Sequence, residues 1–331
     1  MLIQTLILFF LTLNLGYCEV IKLGFGSCLF QGDSMQILSI VKKQKPKFFV
    51  FLGDNVYGNF KSKTWPLWRA YRRQKMNLEA IGWNVPSLRV WDDGDLGVND
   101  GGGDFVHLKR AKRLFLEQWK IDQNDPRHKQ DALYLERRIS EYGLDIQILI
   151  LDVRSQKSPW RRNPDGNQLK RYLPDRSETK TMLGVEQWNW LRNRVVEKVD
   201  LRVVVSSIQV LATGHNWECW NMFPEERLKL LKLIDSNTAK QTLIVSGDRH
   251  RAAFYGLKMP VSGKYFLEVT TSGLNRQAEE RNEPGEHRLT SLYCKENFAL
   301  LEVGRKAVNI SLRNLRGDLI GSKRTIESSL Q

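Results

Sequence analysis

Phe48-Phe49-Val50-Phe51-Leu52-Gly53-Asp54-Asn55-Val56-Tyr57 is the stretch on which the fold turns. Its five apolar residues, rich in aromatic and β-branched side chains, read as a buried strand, and the Gly-Asp after them marks where the chain leaves the sheet. The pattern returns at Thr242-Leu243-Ile244-Val245-Ser246-Gly247-Asp248-Arg249-His250, and a third acidic group, Trp91-Asp92-Asp93-Gly94-Asp95, closes the strand-like run 85–91. Taken singly, Gly-Asp and Asp-Asp-Gly-Asp are ordinary turn chemistry. Three such clusters at strand ends, the last with a His two residues after its Asp, point instead to a polynuclear metal site. Ionised carboxylates brought together repel, and hard cations supply the opposing charge.

Outward from these clusters the chain alternates. Strands are expected at 20–24, 47–52, 85–91, 133–139, 146–151, 201–206 and 242–246, with helices at 33–45, 65–82, 104–118, 184–196 and 224–235; Asp104 is the expected cap of the third helix. The stretch 156–181, with three Pro and many charges, is the longest loop, of a length more often functional than decorative. From 252 onward the pattern turns to strands, at 265–271, 297–303, 308–312 and a short run near Leu319. No repeat and no Gly-Ser or Pro-rich linker divides the chain. This order predicts one α/β domain, two packed sheets with helices outside.

Residues 1–18 read as a secretory signal: 2–15 is almost continuously apolar, and Gly16-Tyr17-Cys18 places small residues before a cleavage point. The run is short for a membrane span. The expected mature protein, 19–331, begins near Glu19 and is soluble, exported and monomeric, in the extracellular space, the periplasm or an endomembrane lumen. Of the four Cys, removal of Cys18 leaves three, too few for a disulfide scaffold, although Cys219 and Cys294 can pair in an oxidising compartment. Asn309-Ile310-Ser311 is a glycosylation sequon inside a strand-like run. The formal charge of +14 is carried wholly by the mature chain and attracts anions, with nucleic acid, acidic lipid and phosphorylated small molecules as the classes it admits.

Seven motifs now stand in order: Gly26-Ser27-Cys28, Gly53-Asp54-Asn55-Val56-Tyr57, Trp91-Asp92-Asp93, Leu151-Asp152-Val153-Arg154, Met182-Leu183-Gly184-Val185-Glu186-Gln187-Trp188, Ser207-Ile208-Gln209-Val210 and Ser246-Gly247-Asp248-Arg249-His250. In this order the chain resembles the PhoD-like alkaline phosphatases, a branch of the metal-dependent phosphoesterases (metallophosphoesterase superfamily). The resemblance implies a four-layer αββα sandwich and a secreted phosphomonoesterase or phosphodiesterase using a metal-activated water. It implies ferric iron (Fe3+) held by Cys28, Asp54 and Tyr57, with calcium (Ca2+) beside it, Asp93 and Asp248 on the neighbouring positions and His250 close by. Soft thiolate and phenolate suit iron, and carboxylates suit calcium. Asp54, Asp93 and His250 are thereby the implied catalytic residues together with Arg154, whose guanidinium either grips a phosphate or pairs with Asp152 or another carboxylate.

One departure stands out. Family members usually read Asp-Asp-His-Asp in the second cluster, where this chain has Asp92-Asp93-Gly94-Asp95. In the superfamily that His contacts phosphate or protonates the leaving group, work worth on the order of a hundred to ten thousand fold. The alternative reading is therefore a catalytically weakened homologue that binds phosphate esters, anionic lipid or nucleic acid. On the lost-acid view, Gly94→His restores turnover of alkyl esters unless Gly94 holds a positive φ, and His215 is a further candidate for the missing role.

Overall fold

Period-two alternation sorts the strand residues between two apolar layers and so fixes how the sheets stack. The computed structural model describes residues 19–166, 171–236, 238–280 and 283–326; the expected signal at 1–18 lies outside them. Strands β1 (Ile21–Gly26), β2 (Phe48–Leu52) and β3 (Ser87–Val90) run parallel, and β10 (Asn297–Val303), β11 (Val308–Asn314) and β12 (Arg324–Ile326) extend that sheet antiparallel from β1. The second sheet takes β4 (Leu135–Glu141), β5 (Leu144–Ile150), β6 (Leu201–Ser206), β7 (Gln241–Ser246), β8 (Ala253–Lys258) and β9 (Tyr265–Thr270), in the order β4-β5-β6-β7-β9-β8. Phe25, Val50, Leu52, Ile148, Val203, Val245 and Leu301 belong to one buried core between the sheets. Phe49 and Phe51, on the other face of β2, pack with Leu38 and Val41 of α1 (Gln36–Lys43), while Leu149, Val204 and Ile244 pack with α5 (Gly184–Val195) and α6 (Pro224–Asp235). The result is the expected αββα sandwich.

The parallel strands β1, β2, β3, β5, β6, β7 and β9 deliver their C-terminal ends, and so the motif loops, to one edge of the sandwich. Helices α2 (Leu67–Ala80) and α4 (Leu108–Gln118) pack with Val56, Trp91 and Leu96 beside the first two acidic clusters. Helix α4 starts at Leu108, later than expected, and Asp104 does not cap it: Gly103 N donates to Lys157 O at 2.9 Å, tying the glycine run to the 156–181 loop instead. The second acidic cluster is itself a short helix, α3 (Asp93–Leu96). The last strand lies at 324–326, Leu319 making only a bridge to Arg313. Cys219 and Cys294 are both buried free thiols, so the open question of their pairing is answered in the negative. Asn309 sits in β11 with its side chain accepting from Thr325 Oγ1 at 2.8 Å.

Candidate metal centre

Of the nine non-glycine residues with positive φ among the described residues, five are candidate ligands, Asp100 among them. Cys28 (φ 62°), Asp54 (φ 50°), Asp248 (φ 68°) and His250 (φ 55°) all occupy the left-handed region. Non-glycine residues held there cost about 1–3 kcal/mol each and gather where surrounding structure enforces them, commonly at functional sites. Gly53 (φ 106°) precedes Asp54, and a Cβ on it would come within 2.6 Å of the Asp92 Cβ, so only glycine lets β2 end this close to the second cluster. Each enforced turn aims its side chain into the space between the strand ends.

Three groups of potential ligands meet there, each with one ligand atom per residue, all within 4.8 Å: Cys28, Asp54 and His250; Asp54, Asp92 and Asp93; Asp93, Asp100 and Glu218. Asp54 belongs to the first two groups and Asp93 to the last two. Tyr57 joins through its hydroxyl, 3.0 Å from His250 Nε2. Ser272, just past β9, lies 3.1 Å from Cys28 Sγ by its Oγ and accepts from His250 N at 2.7 Å, locking the two ligand loops together. Gly94 N donates to Asp54 Oδ1 at 2.9 Å, and Asp100 N to Asp93 Oδ2 at 2.6 Å. Asp248 lines the same cleft without joining a group of three among the described residues.

The residues fit polyvalent cations. Burial, then the Asp93 and Cys28 charges, holds the Asp54 carboxyl well above its ordinary range; burial with Asp92 and Asp93 does the same to Asp248. Burial raises the Cys28 thiol, and burial with the Asp54 charge raises the Tyr57 phenol. Burial lowers His250 to about 4, leaving it a neutral nitrogen ligand near neutral pH. One oxygen of Asp92, Oδ2, is buried without a hydrogen-bond partner. Such an atom is costly unless a cation takes it.

Arg154 requires a correction. It is fully buried, its Nε donates to Asp92 Oδ1, and its two terminal nitrogens donate to Glu218 Oε1 (2.6 Å) and Oε2 (3.0 Å). A phosphate in the cleft does not meet it; the carboxylate alternative describes it, with partners Asp92 and Glu218. Asp152 instead accepts from the backbone of Leu133, Arg154 and Ser155. The long loop does reach the site: Trp160 Nε1 donates to Glu218 at 2.7 Å and Tyr172 Oη to Asp100 at 2.5 Å, while 167–170 lie outside the described residues. Asp92, Asp100, Glu218, Ser207 and Ser272 were not singled out from sequence. Asp92, Ser207 and Glu218 carried a signal, Asp92 as part of the second cluster, Ser207 as the head of the motif 207–210 and Glu218 as the acidic residue between two tryptophans.

Gly94 lies in α3 without a positive φ, so the backbone condition set on Gly94→His does not apply. Its constraint is contact: a Cβ would sit 2.5 Å from Val56 O and 2.6 Å from Asp54 Oδ1. Gly94→His therefore strains the centre instead of completing it. Even Gly94→Ala should displace the Asp54 carboxylate and lower metal affinity or activity by about 10- to 100-fold, the scale seen when a ligand loses its orientation. Titration of metal into the variant checks this.

Acidic ligands gathered at the strand ends of two mixed sheets packed face to face are the arrangement of the metal-dependent phosphoesterases. The chain belongs to the PhoD-like phosphatase family, whose sequence profile matches residues 24–300. The solved structure of PhoD superposes with a TM-score of 0.68 at 18% identity, covering 93% of this chain and 68% of the other. A purple acid phosphatase, PPD1 from yellow lupin (Lupinus luteus) seeds, gives 0.65 at 11% identity, covering 94% of this chain and 54% of its own. GAP50, the anchor in the inner membrane complex of Plasmodium, gives 0.59 at 12%, with 93% and 89% covered. Likeness at these identities shows the fold. No curated protein matches the chain.

Proposed function

We propose that the chain is a secreted, metal-dependent phosphoric ester hydrolase acting on phosphomonoesters or phosphodiesters. The observation that carries this reading is the double membership of Asp54, which stands between a Cys28–His250 group and an Asp92–Asp93 group as a bridging carboxylate would. Cys28, Asp54, Tyr57 and His250 suit Fe3+, and the carboxylates Asp54, Asp92, Asp93 and Asp248 suit Ca2+. When bound, such cations neutralise phosphoryl oxygens and acidify water. The chain's own part is orientation. Ser272 fixes Cys28 and His250, Asp100 N fixes Asp93, and the buried Arg154 balances Asp92 and Glu218. Secretion rests on the apolar run 2–15; no helix of the described residues is long and apolar enough to cross a membrane.

Gly94 favours a second reading, a homologue that keeps the metals with weakened turnover, since no imidazole occupies that position of the motif. One experiment separates the two: elemental analysis of the purified protein together with turnover of an aryl phosphate and an aryl phosphodiester, before and after chelation. Iron, calcium and chelator-sensitive turnover are expected. Metals without turnover would establish the second reading, and stoichiometric zinc without iron would overturn the ligand assignment.

A further inference from the structure

With Arg154 sealed inside, the cleft needs another cation for a phosphoryl group. The cleft over the acidic cluster has a volume of about 1480 Å³, and four arginines line it, Arg171, Arg249, Arg251 and Arg276. Three already have carboxylate partners, two of them sharing one. Arg171 pairs with Asp100, and Arg249 and Arg251 both pair with Glu283 at 3.0 and 2.6 Å. Arg276 is exposed and makes no ion pair among the described residues; its guanidinium carbon lies 5.4 Å from the centre of the Tyr57 ring and 5.1 Å from that of Phe30. The cleft's lysine, Lys61, is a hydrated charge on a flexible stem, and no aromatic ring among the described residues positions it.

The chain around Arg276 is clamped to the ligand loops on both sides. Leu274 N donates to Ser27 O at 2.9 Å, the Asn275 side chain bonds Phe30 N and O at 2.6 and 2.9 Å, and Ala278 N donates to His250 O at 3.0 Å. A guanidinium on this segment, within cation–π range of the ring whose hydroxyl meets His250, is preorganised beside the metal centre while its donors remain open.

We propose that Arg276, laid across the Tyr57 and Phe30 rings at the mouth of the cleft, forms an anion subsite that takes the non-esterified oxygens of the substrate's phosphoryl group. The planar fork of arginine matches two such oxygens at once. A monoester offers three of them and two negative charges, a diester two and one, so the subsite favours phosphomonoesters. The inference rests on the phosphoric ester reading of the metal centre.

The test uses the metal-loaded full chain and its Arg276→Met and Arg276→Lys variants. It measures metal content, the Kd of inorganic phosphate by calorimetry, and kcat and KM on an aryl phosphate and an aryl phosphodiester. Arg276→Met should weaken phosphate binding and raise the monoester KM by about 10- to 100-fold, the range of one charge-assisted hydrogen-bond pair. The diester should be affected less, the metal content should not change, and Lys should recover part of the loss. Unchanged phosphate binding in Arg276→Met would overturn the subsite, as would an equal effect on both esters. The phosphate Kd is read without turnover, so failure of the hydrolase reading shows separately, as an inert wild type that still binds phosphate through Arg276.

Discussion

Asp54→Asn should lose its metals and its turnover together while the metal-free protein becomes no less stable than the wild type, and more stable at neutral pH. Asn keeps the acceptor for Gly94 N and tolerates the left-handed backbone at this position, so the fold has little reason to object. What disappears is one negative charge shared by two ligand groups. The fall in kcat should be at least about 100- to 1,000-fold, the effect of removing one preorganised electrostatic contact. The stability sign follows from the raised Asp54 pKa. Below the ordinary carboxylate range both folded and unfolded states hold the proton; as pH rises past it, the unfolded chain ionises first and the metal-free fold loses stability. Asn removes that loss. Metal analysis, turnover and urea melts at pH 4 and pH 7 on chelated protein check all three parts, and retained metal with normal turnover would reduce Asp54 to a turn residue.

This opposition between stability and function also explains what could be read from sequence. Asp54 and Asp248 were legible because an apolar run followed by Gly-Asp is a local pattern, and local patterns survive without the fold. The two-sheet architecture was legible for the same reason, from strand runs such as 48–52 and 201–206. Residues whose roles depend on distant partners were not. Arg154 meets Asp92 across 62 positions and Glu218 across 64, so the sequence offers its charge without its address. Ser272 is an ordinary serine until it bridges Cys28 and His250. Helix α3, four residues with Asp-Gly-Asp at its head, is too short to show periodicity and reads as a turn. Of the positive φ values, those at Asp54, Asp248 and His250 fall on residue types enriched in the left-handed region, whereas that at Cys28 leaves no trace in residue type.

The opposite balance is expected at Arg154. Arg154→Met should destabilise the protein by about 3–5 kcal/mol, the cost of removing one partner from a buried ionic cluster. Asp92, Glu218 and Arg154 are each no more than 2% exposed, so the two carboxylates left behind have no water to turn to. Ser207 Oγ, 2.7 Å from Asp92 Oδ1, and Trp160 Nε1 on Glu218 are neutral donors that cannot replace a positive charge. Arg154→Lys should rescue little, since one ammonium cannot reach Asp92 and fork to both oxygens of Glu218. Adding Glu218→Gln to Arg154→Met should restore part of the stability by removing one orphaned charge. Urea melts of the chelated proteins read these differences without interference from the metals. A role in gripping substrate predicts a different pattern: Arg154→Met would then fold with wild-type stability and show only a raised KM, and that result would require the guanidinium to leave Asp92 and Glu218 and turn into the cleft.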